Sequence, residues 1–183
     1  MASINSVTGP IDSADLGFTL MHEHVLVAAS GLTQSYPDLL GQNYESRAID
    51  CLKKAKANGI DTMLDATTFD LGRDPRLLQR VAAASGVNLI NVTGWWLDVP
   101  RFMHGVGANQ MADEFIRDLT EGFRGTDIKA GMLKCAADFE GVTPPLETMA
   151  RAVARAHVQT GVPIMVHSYP TGQVGRRQIQ IFR

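Results

Sequence analysis

Two histidines separated by a single residue, His22 and His24, have the clearest capacity for chemistry in this chain. They lie in an apolar segment predicted as a β-strand, and side chains two residues apart point to the same face of a strand. The two imidazoles therefore converge while Glu23 points away. Neighbouring imidazoles suit a borderline metal such as zinc, although histidines bonded to backbone or water would show the same pattern.

A lysine interrupts a second apolar strand. Lys134 lies within residues 130–136, and a lysine is almost never fully buried without a partner. If it points into a barrel, desolvation lowers its pKa and favours the neutral amine. A neutral amine can add carbon dioxide to form a carbamate, an anionic ligand able to bridge two metals. The alternative is a lysine whose head reaches solvent. The neighbouring Cys135 points to the opposite face and is expected to have no catalytic role.

A third histidine follows another apolar strand. His167 ends residues 162–167, and ligands of parallel α/β sheets lie at the carboxyl ends of the strands. The histidine could therefore contribute to the same site as Lys134. A histidine that only begins a loop is the other interpretation.

Aromatic and acidic residues lie near the ends of two further strands. Trp95 and Trp96 follow the third strand and could line a substrate pocket or pack against the long loop after the first strand. Asp65 could face the barrel interior. For Asp70 we expect a helix cap or an arginine partner.

The hydrophobic periodicity alternates between strand and helix. The predicted strands cover residues 18–26, 60–67, 87–93, 130–136 and 162–167, and the helices cover residues 46–58, 75–85, 110–123, 144–160 and 172–183. This alternation indicates βαβ units in a parallel sheet, which fits a doubly wound sheet or a (β/α)₈ barrel. A complete barrel needs about 250 residues. We therefore expect residues 1–183 to form a single, partial domain, cut short at an apolar last helix.

The composition excludes several classes of protein. Of 183 residues, 45% are hydrophobic and 20% are charged, which excludes a mainly disordered chain. A net charge of −2 provides no basic field for nucleic acid or an anionic membrane. No apolar run approaches the roughly 20 residues that span a bilayer, and residues 1–15 lack the basic and apolar regions expected of a secretory signal. Two cysteines do not form a disulfide framework, so a cytoplasmic protein with reduced thiols is expected.

Five segments together resemble the phosphotriesterase family of the amidohydrolase superfamily, including its phosphotriesterase-like lactonases. The segments are GFTLMHEHV (17–25), TTFDLGRD (67–74), VTGWWLDVP (92–100), IKAGMLKCAAD (128–138) and TGVPIMVHSYPTG (160–172). They occur in the family order, and the first, fourth and fifth are specific motifs. The resemblance implies a TIM-type (β/α)₈ barrel of which only about the first five βα units are present.

The resemblance also implies two divalent metal ions at the carboxyl end of the barrel. Zinc is the first candidate, with manganese, cobalt or iron as alternatives. His22 and His24 look like ligands of the more buried ion, and His167 looks like a ligand of the more exposed one. Lys134 looks like the carboxylated lysine that bridges both ions, and it is the residue to which a catalytic role is assigned.

The reaction implied is hydrolysis, in which a hydroxide bridging the metals attacks a lactone or ester carbonyl or a phosphotriester. Trp96 matches an aromatic residue of the leaving-group pocket, and Leu71 a residue near the substrate's side groups. Residues 136–143 look like the lactonase branch, whereas the double tryptophan fits neither branch. The expected partners are therefore small-molecule esters, lactones or phosphotriesters, with neither nucleic acid nor membrane.

The chain departs from the family pattern at its end. The family also uses a histidine of strand six and an aspartate of strand eight, and both would lie beyond Arg183. The more exposed metal would keep only Lys134 and His167, and two protein ligands rarely hold zinc tightly. The alternative function is therefore a catalytically inactive remnant that binds metal or a partner, with self-association as a homodimer. A doubly wound binding domain is disfavoured because no glycine-rich loop follows the first strand.

Overall fold

The computed structural model describes residues 2–183. The strands are β1 (Ser3–Ser6), β2 (Gly9–Asp12), β3 (Thr19–Glu23), β4 (Thr62–Asp65), β5 (Asn88–Gly94), β6 (Met132–Ala137) and β7 (Ile164–Ser168). The helices are α1 (Leu32–Ser35), α2 (Tyr44–Ala57), α3 (Pro75–Ser85), α4 (Ala108–Thr120), α5 (Pro144–Thr160) and α6 (Val174–Phe182). None of the helices within residues 2–183 is long and apolar enough to cross a membrane.

Strands β3 to β7 form one parallel sheet in chain order. Each strand is followed by a helix, as the periodicity predicts, and α3 and α5 have the predicted bounds. The sequential order excludes the doubly wound alternative, in which the order of strands reverses within the sheet. This arrangement is the one expected for the first five units of a (β/α)₈ barrel.

The helix ends follow from local residue chemistry. The Asp74 carboxylate accepts a hydrogen bond from the Leu77 N–H at 3.0 Å, and Pro75 occupies the first turn of α3. Gly161 ends α5 with a φ of 72°, a conformation that glycine adopts without strain. Thr143, expected to cap α5, makes no side-chain capping bond, so Pro144 alone marks the start of this helix.

The curled sheet has two chemically different faces. Leu89 and Leu133 point outward into the large core that the helices cover. The inward-facing residues form a much smaller apolar cluster, which comprises Leu64, Ala66, Ile90 and Val92. Because strand side chains alternate between faces, this pattern fixes which side of each strand faces the barrel interior.

An antiparallel hairpin, β1–β2, lies at the amino end of the sheet and was not predicted from the sequence. The Val7 N–H donates to the Leu89 carbonyl at 2.9 Å, and the Asn5 side-chain amide donates to the carbonyls of Leu119 and Ala130. Gly131 permits this approach, since a Cβ there would clash with the Asn5 carbonyl oxygen. The hairpin thus closes the end of the sheet opposite to the predicted site.

Candidate active site

The predicted metal ligands, together with Trp96 and Leu71, line one cavity of about 380 Å³ on the inner face of the sheet. The lining residues are His22, His24, Val27, Ala66, Leu71, Trp96, Lys134 and His167. They come from the ends of five different strands or from the loops that follow them. The structure therefore brings together side chains that are more than a hundred residues apart in the chain.

Lys134 lies at the bottom of this cavity and is only 1% exposed. Its Nζ lies 3.3 Å from His22 Nε2, and no ion pair of residues 2–183 includes it. Burial lowers the pKa of Lys134 to about 8, because the ammonium is desolvated without a counter-ion. Strand β5 approaches closely here, because a Cβ at Gly94 would clash with the Lys134 carbonyl oxygen.

His22 and His24 converge as predicted, with ring centroids 5.6 Å apart. Both lie on the exposed rim of the cavity, His24 directly after the end of β3. Partial desolvation and then the neighbouring Lys134 lower the pKa of His22. His24 Nδ1 lies 2.9 Å from Thr67 Oγ1. A proton donated from Nδ1 to this hydroxyl leaves Nε2 with the lone pair that a metal would use.

A buried carboxylate supports His24 from the opposite face of β4. Asp65 is 1% exposed and accepts hydrogen bonds from the Val25 N–H at 3.1 Å and the Thr67 N–H at 2.8 Å. Burial raises the pKa of Asp65, although these two hydrogen bonds oppose the shift. The expectation that Asp65 faces the barrel interior is wrong, because strand alternation gives that side to Leu64. Asp65 instead fixes the backbone on both sides of the His24–Thr67 contact.

The two adjacent tryptophans have different roles. Trp95 is buried among the helices, with its ring centroid 4.8 Å from that of Phe115. Trp96 lines the cavity and meets His167 edge to face, with centroids 6.0 Å apart. Asp138, which follows β6, lies close to the same histidine, with Oδ2 3.7 Å from His167 Nε2. Its position just past a strand end was the one signal for it in the sequence.

Asp70 contradicts its expected role as a helix cap or arginine partner. It forms no ion pair within residues 2–183. Its carboxylate accepts hydrogen bonds from the backbone of the loop that carries Trp96. The sequence held no local signal for this contact, since the partners are at least 26 residues away.

The donor set suits a metal only when Lys134 is modified. Within residues 2–183, no three His, Cys, Asp or Glu side chains are grouped so that they could hold a metal ion. His22 and His24 provide two nitrogen donors, and an ammonium at Lys134 would repel a cation. A carbamate on the same nitrogen would reverse that charge and add oxygen donors. The uncompensated buried amine is therefore the feature that fits a metal-bridging group.

A parallel sheet wrapped by helices, with a lysine and three histidines gathered toward the carboxyl ends of its strands, defines a partial (β/α) barrel. The sequence matches the model of the phosphotriesterase family over residues 2–183. The chain belongs to the phosphotriesterase family, and the resemblance and the fold class inferred from the sequence are confirmed.

Individual relatives agree with this assignment. The chain is 42% identical over 193 aligned residues to a phosphotriesterase homology protein of Mycobacterium tuberculosis, covering 100% of this chain and 59% of the relative. It is 40% identical over 174 residues to an aryldialkylphosphatase of Saccharolobus solfataricus, covering 93% and 55%. A solved structure of the phosphotriesterase from M. tuberculosis superposes with a TM-score of 0.93 at 43% identity, covering 99% of this chain and 59% of that one. The chain thus spans under two thirds of the length of these relatives.

Proposed function

We propose that residues 1–183 supply most of the catalytic pocket of a metal-dependent hydrolase that cleaves small-molecule lactones, esters or phosphotriesters. The observation that carries the proposal is the buried, uncompensated Lys134 amine, which shares one cavity with His22, His24 and His167. Family membership supports hydrolysis as the reaction class, and one relative is named an aryldialkylphosphatase.

Lys134 is the residue whose chemistry the cavity favours. With the pKa of Lys134 lowered to about 8, part of the population carries the uncharged, nucleophilic amine near pH 7. The nitrogen lone pair attacks the carbon of carbon dioxide, one C–O π pair moves onto oxygen, and the nitrogen releases one proton. His22 Nε2, 3.3 Å away, is positioned to accept that proton. The product is an anionic carbamate where a cation was buried.

The modified lysine completes a ligand set. His22, His24 and the Lys134 carbamate would hold one divalent ion, and His167 with the same carbamate would contact a second. Zinc is the ion that these donors suit best, with manganese, cobalt or iron as alternatives. When bound, such ions supply Lewis-acid activation of water and of the substrate's oxygen.

The walls of the cavity act on the substrate. Trp96 and Leu71 present apolar surface on two sides, and a volume of about 380 Å³ admits a small molecule. Contact with these side chains excludes water from the substrate's ester or lactone group. We assign Trp96 to the leaving-group side and Leu71 to the substrate's side groups.

The test is zinc binding and hydrolysis by the purified chain in bicarbonate buffer, with a lactone and an aryl dialkyl phosphate as substrates. We expect Lys134→Ala to lose zinc binding and turnover by at least tenfold, with partial recovery on adding a short carboxylic acid. Lys53→Ala, at an exposed lysine of α2, is the matched control. Wild-type zinc affinity in Lys134→Ala would overturn the proposed ligand.

A second candidate function is metal or partner binding without catalysis. The observation that favours it is the lack, within residues 2–183, of three grouped conventional ligand side chains. Zinc binding by the chain with no turnover of either substrate would select this candidate. Sedimentation of the same sample then tests the expected homodimer, since a partner-binding remnant would associate.

A further inference from the structure

One carboxylate, that of Asp70, binds three successive backbone N–H groups of the loop after β5. Trp96 N lies 3.0 Å from Oδ1, while Leu97 N and Asp98 N each lie 3.2 Å from Oδ2. The Thr68 hydroxyl donates to the same carboxylate. Consecutive N–H groups that point at one anion form a concave anion-binding site, and here a side chain of the protein occupies it.

This contact joins two loops that line the cavity. Asp70 lies in the short 3₁₀ helix Phe69–Leu71 after β4, directly before Leu71. Trp96 follows the next strand, β5. The distance between the Leu71 and Trp96 walls of the cavity is therefore set by a charged contact between their loops, outside the cavity itself.

The chemistry of the contact requires a carboxylate. Hydrogen bonds to an ionised acceptor are shorter and stronger than those between neutral groups. An asparagine would keep the volume of Asp70 but offer a single oxygen, and its NH₂ group would face backbone donors. An alanine would leave all three N–H groups without this partner.

We propose that Asp70 is a positioning residue that fixes the position of Trp96 relative to Leu71 and His167 and so determines the size of the apolar group that the pocket accepts. The edge-to-face contact between Trp96 and His167, with centroids 6.0 Å apart, places the same loop beside a candidate metal ligand. The assignment of a substrate to this pocket rests on the proposed function, whereas the contact between the two loops does not.

The first experiment reports on the loop independently of activity. The chain is labelled with 5-fluorotryptophan, and the two ¹⁹F resonances of Trp95 and Trp96 are assigned with Trp96→Phe. In Asp70→Asn we expect the Trp96 resonance to shift and broaden while that of Trp95 is retained, because Trp95 is held by the core. The matched control is Asp113→Asn, at an exposed position of α4, which should change neither resonance.

A Trp96 resonance that stays unchanged in Asp70→Asn would overturn the proposal. Should that variant unfold, both resonances would move to the position of an unfolded chain. Thr68→Val then becomes the deciding variant, because it removes only the hydroxyl that donates to the Asp70 carboxylate. We expect a smaller shift of Trp96 alone in Thr68→Val, and no shift would count against the role of Asp70.

The second experiment tests specificity. Hydrolysis of an unsubstituted five-membered lactone is compared with that of the same lactone carrying a long alkyl chain. In Asp70→Asn we expect the ratio of the two KM values to change at least threefold, with a smaller change in kcat for the unsubstituted lactone. An unchanged KM ratio would overturn the role in specificity. If the wild type hydrolyses neither lactone, the lactonase form of the proposed function fails, and the ¹⁹F experiment still decides whether Asp70 positions Trp96.

Discussion

On the outer side of the sheet the largely buried cation Arg73 has several partners, whereas on the inner side the buried Lys134 has one hydrogen-bond partner within residues 2–183. Arg73 Nη1 donates to the Val92 carbonyl at 2.9 Å, and Nη2 lies 3.7 Å from Asp118. The guanidinium also lies over the Phe123 ring, 4.0 Å from its centroid. In the described part of the chain, Lys134 Nζ has one hydrogen-bond partner, His22 Nε2. Partners offset part of the cost of burying a charge, whereas a buried charge without them is a candidate for chemistry.

The apolar residues follow the same division. The outer core, under the helices, holds large side chains such as Phe115, Leu133 and Met149 at 2% exposure or less. The inner cluster is small, and the cavity with the candidate ligands lies beside it. Most of the folding free energy is therefore expected to come from the outer face, which leaves the inner face free to carry unfavourable groups.

The largest expected effect on stability follows from removing one large side chain of the outer core. Phe115→Ala should lower the free energy of unfolding by about 3–5 kcal/mol, because the removed ring leaves a cavity against Trp95. Urea unfolding followed by circular dichroism measures this change. Val158→Ala, at a side chain 84% exposed, is the matched control and should stay within about 0.5 kcal/mol of the wild type. A loss below 1 kcal/mol in Phe115→Ala would contradict the assignment of stability to the outer face.

The next prediction exchanges each buried cation for methionine. Without metal and carbon dioxide, Lys134→Met should raise the free energy of unfolding by about 1–3 kcal/mol, because an uncompensated ammonium no longer has to be buried. Arg73→Met should lower it by a similar amount, since the Val92 carbonyl and Asp118 lose their donor. Changes of the same sign in the two variants would remove the distinction between the faces.

A smaller effect is expected at Thr67, whose hydroxyl supports the candidate metal ligand His24. Thr67→Val should weaken zinc binding in bicarbonate buffer by roughly tenfold, because His24 Nδ1 loses the hydroxyl that orients the ring. Thr67→Ser keeps the hydroxyl and should retain most of the zinc affinity. Titration calorimetry of both variants measures the difference. Equal affinities of the valine and serine variants would show that this hydrogen bond does not position His24.

Features that depend on local patterns could be predicted from the sequence. Alternation of side chains places His22 and His24 on one face, and the apolar neighbours of Lys134 bury it. The alternation of strand and helix gives the parallel order of β3 to β7.

Features that depend on contacts distant in the chain could not be predicted. The β1–β2 hairpin is short and mostly polar, so its sequence has little hydrophobic periodicity. The hydrogen bond that attaches it to the sheet joins Val7 to Leu89, which are distant in the chain. Asp70 binds backbone groups that any residues could provide, and the side chains at those positions therefore carry no signal. Because this contact is made to backbone groups of another loop, the residue that supports the site could not be identified from the sequence.

The smallest effect concerns an ion pair on the solvent side of the outer helices. Glu45 of α2 binds Arg80 of α3 through two hydrogen bonds of 2.8 and 2.7 Å. Hydrogen bonding to Arg80 lowers the pKa of Glu45 from its ordinary value of 4.5. The pair therefore stabilises the fold above pH 4.5, and this contribution is lost as the pH falls through the lowered pKa of the folded state.

Glu45→Gln should accordingly lower the free energy of unfolding by about 0.5 kcal/mol at neutral pH, since exposed pairs contribute little. The difference from the wild type should vanish once the pH lies below the lowered pKa of Glu45, as urea unfolding at a series of pH values would measure. Glu140→Gln, at an exposed glutamate without an ion pair within residues 2–183, provides the baseline. A loss above 2 kcal/mol in Glu45→Gln would mean that surface charge stabilises the outer face as strongly as its core does, and the contrast between the two faces would then need another explanation.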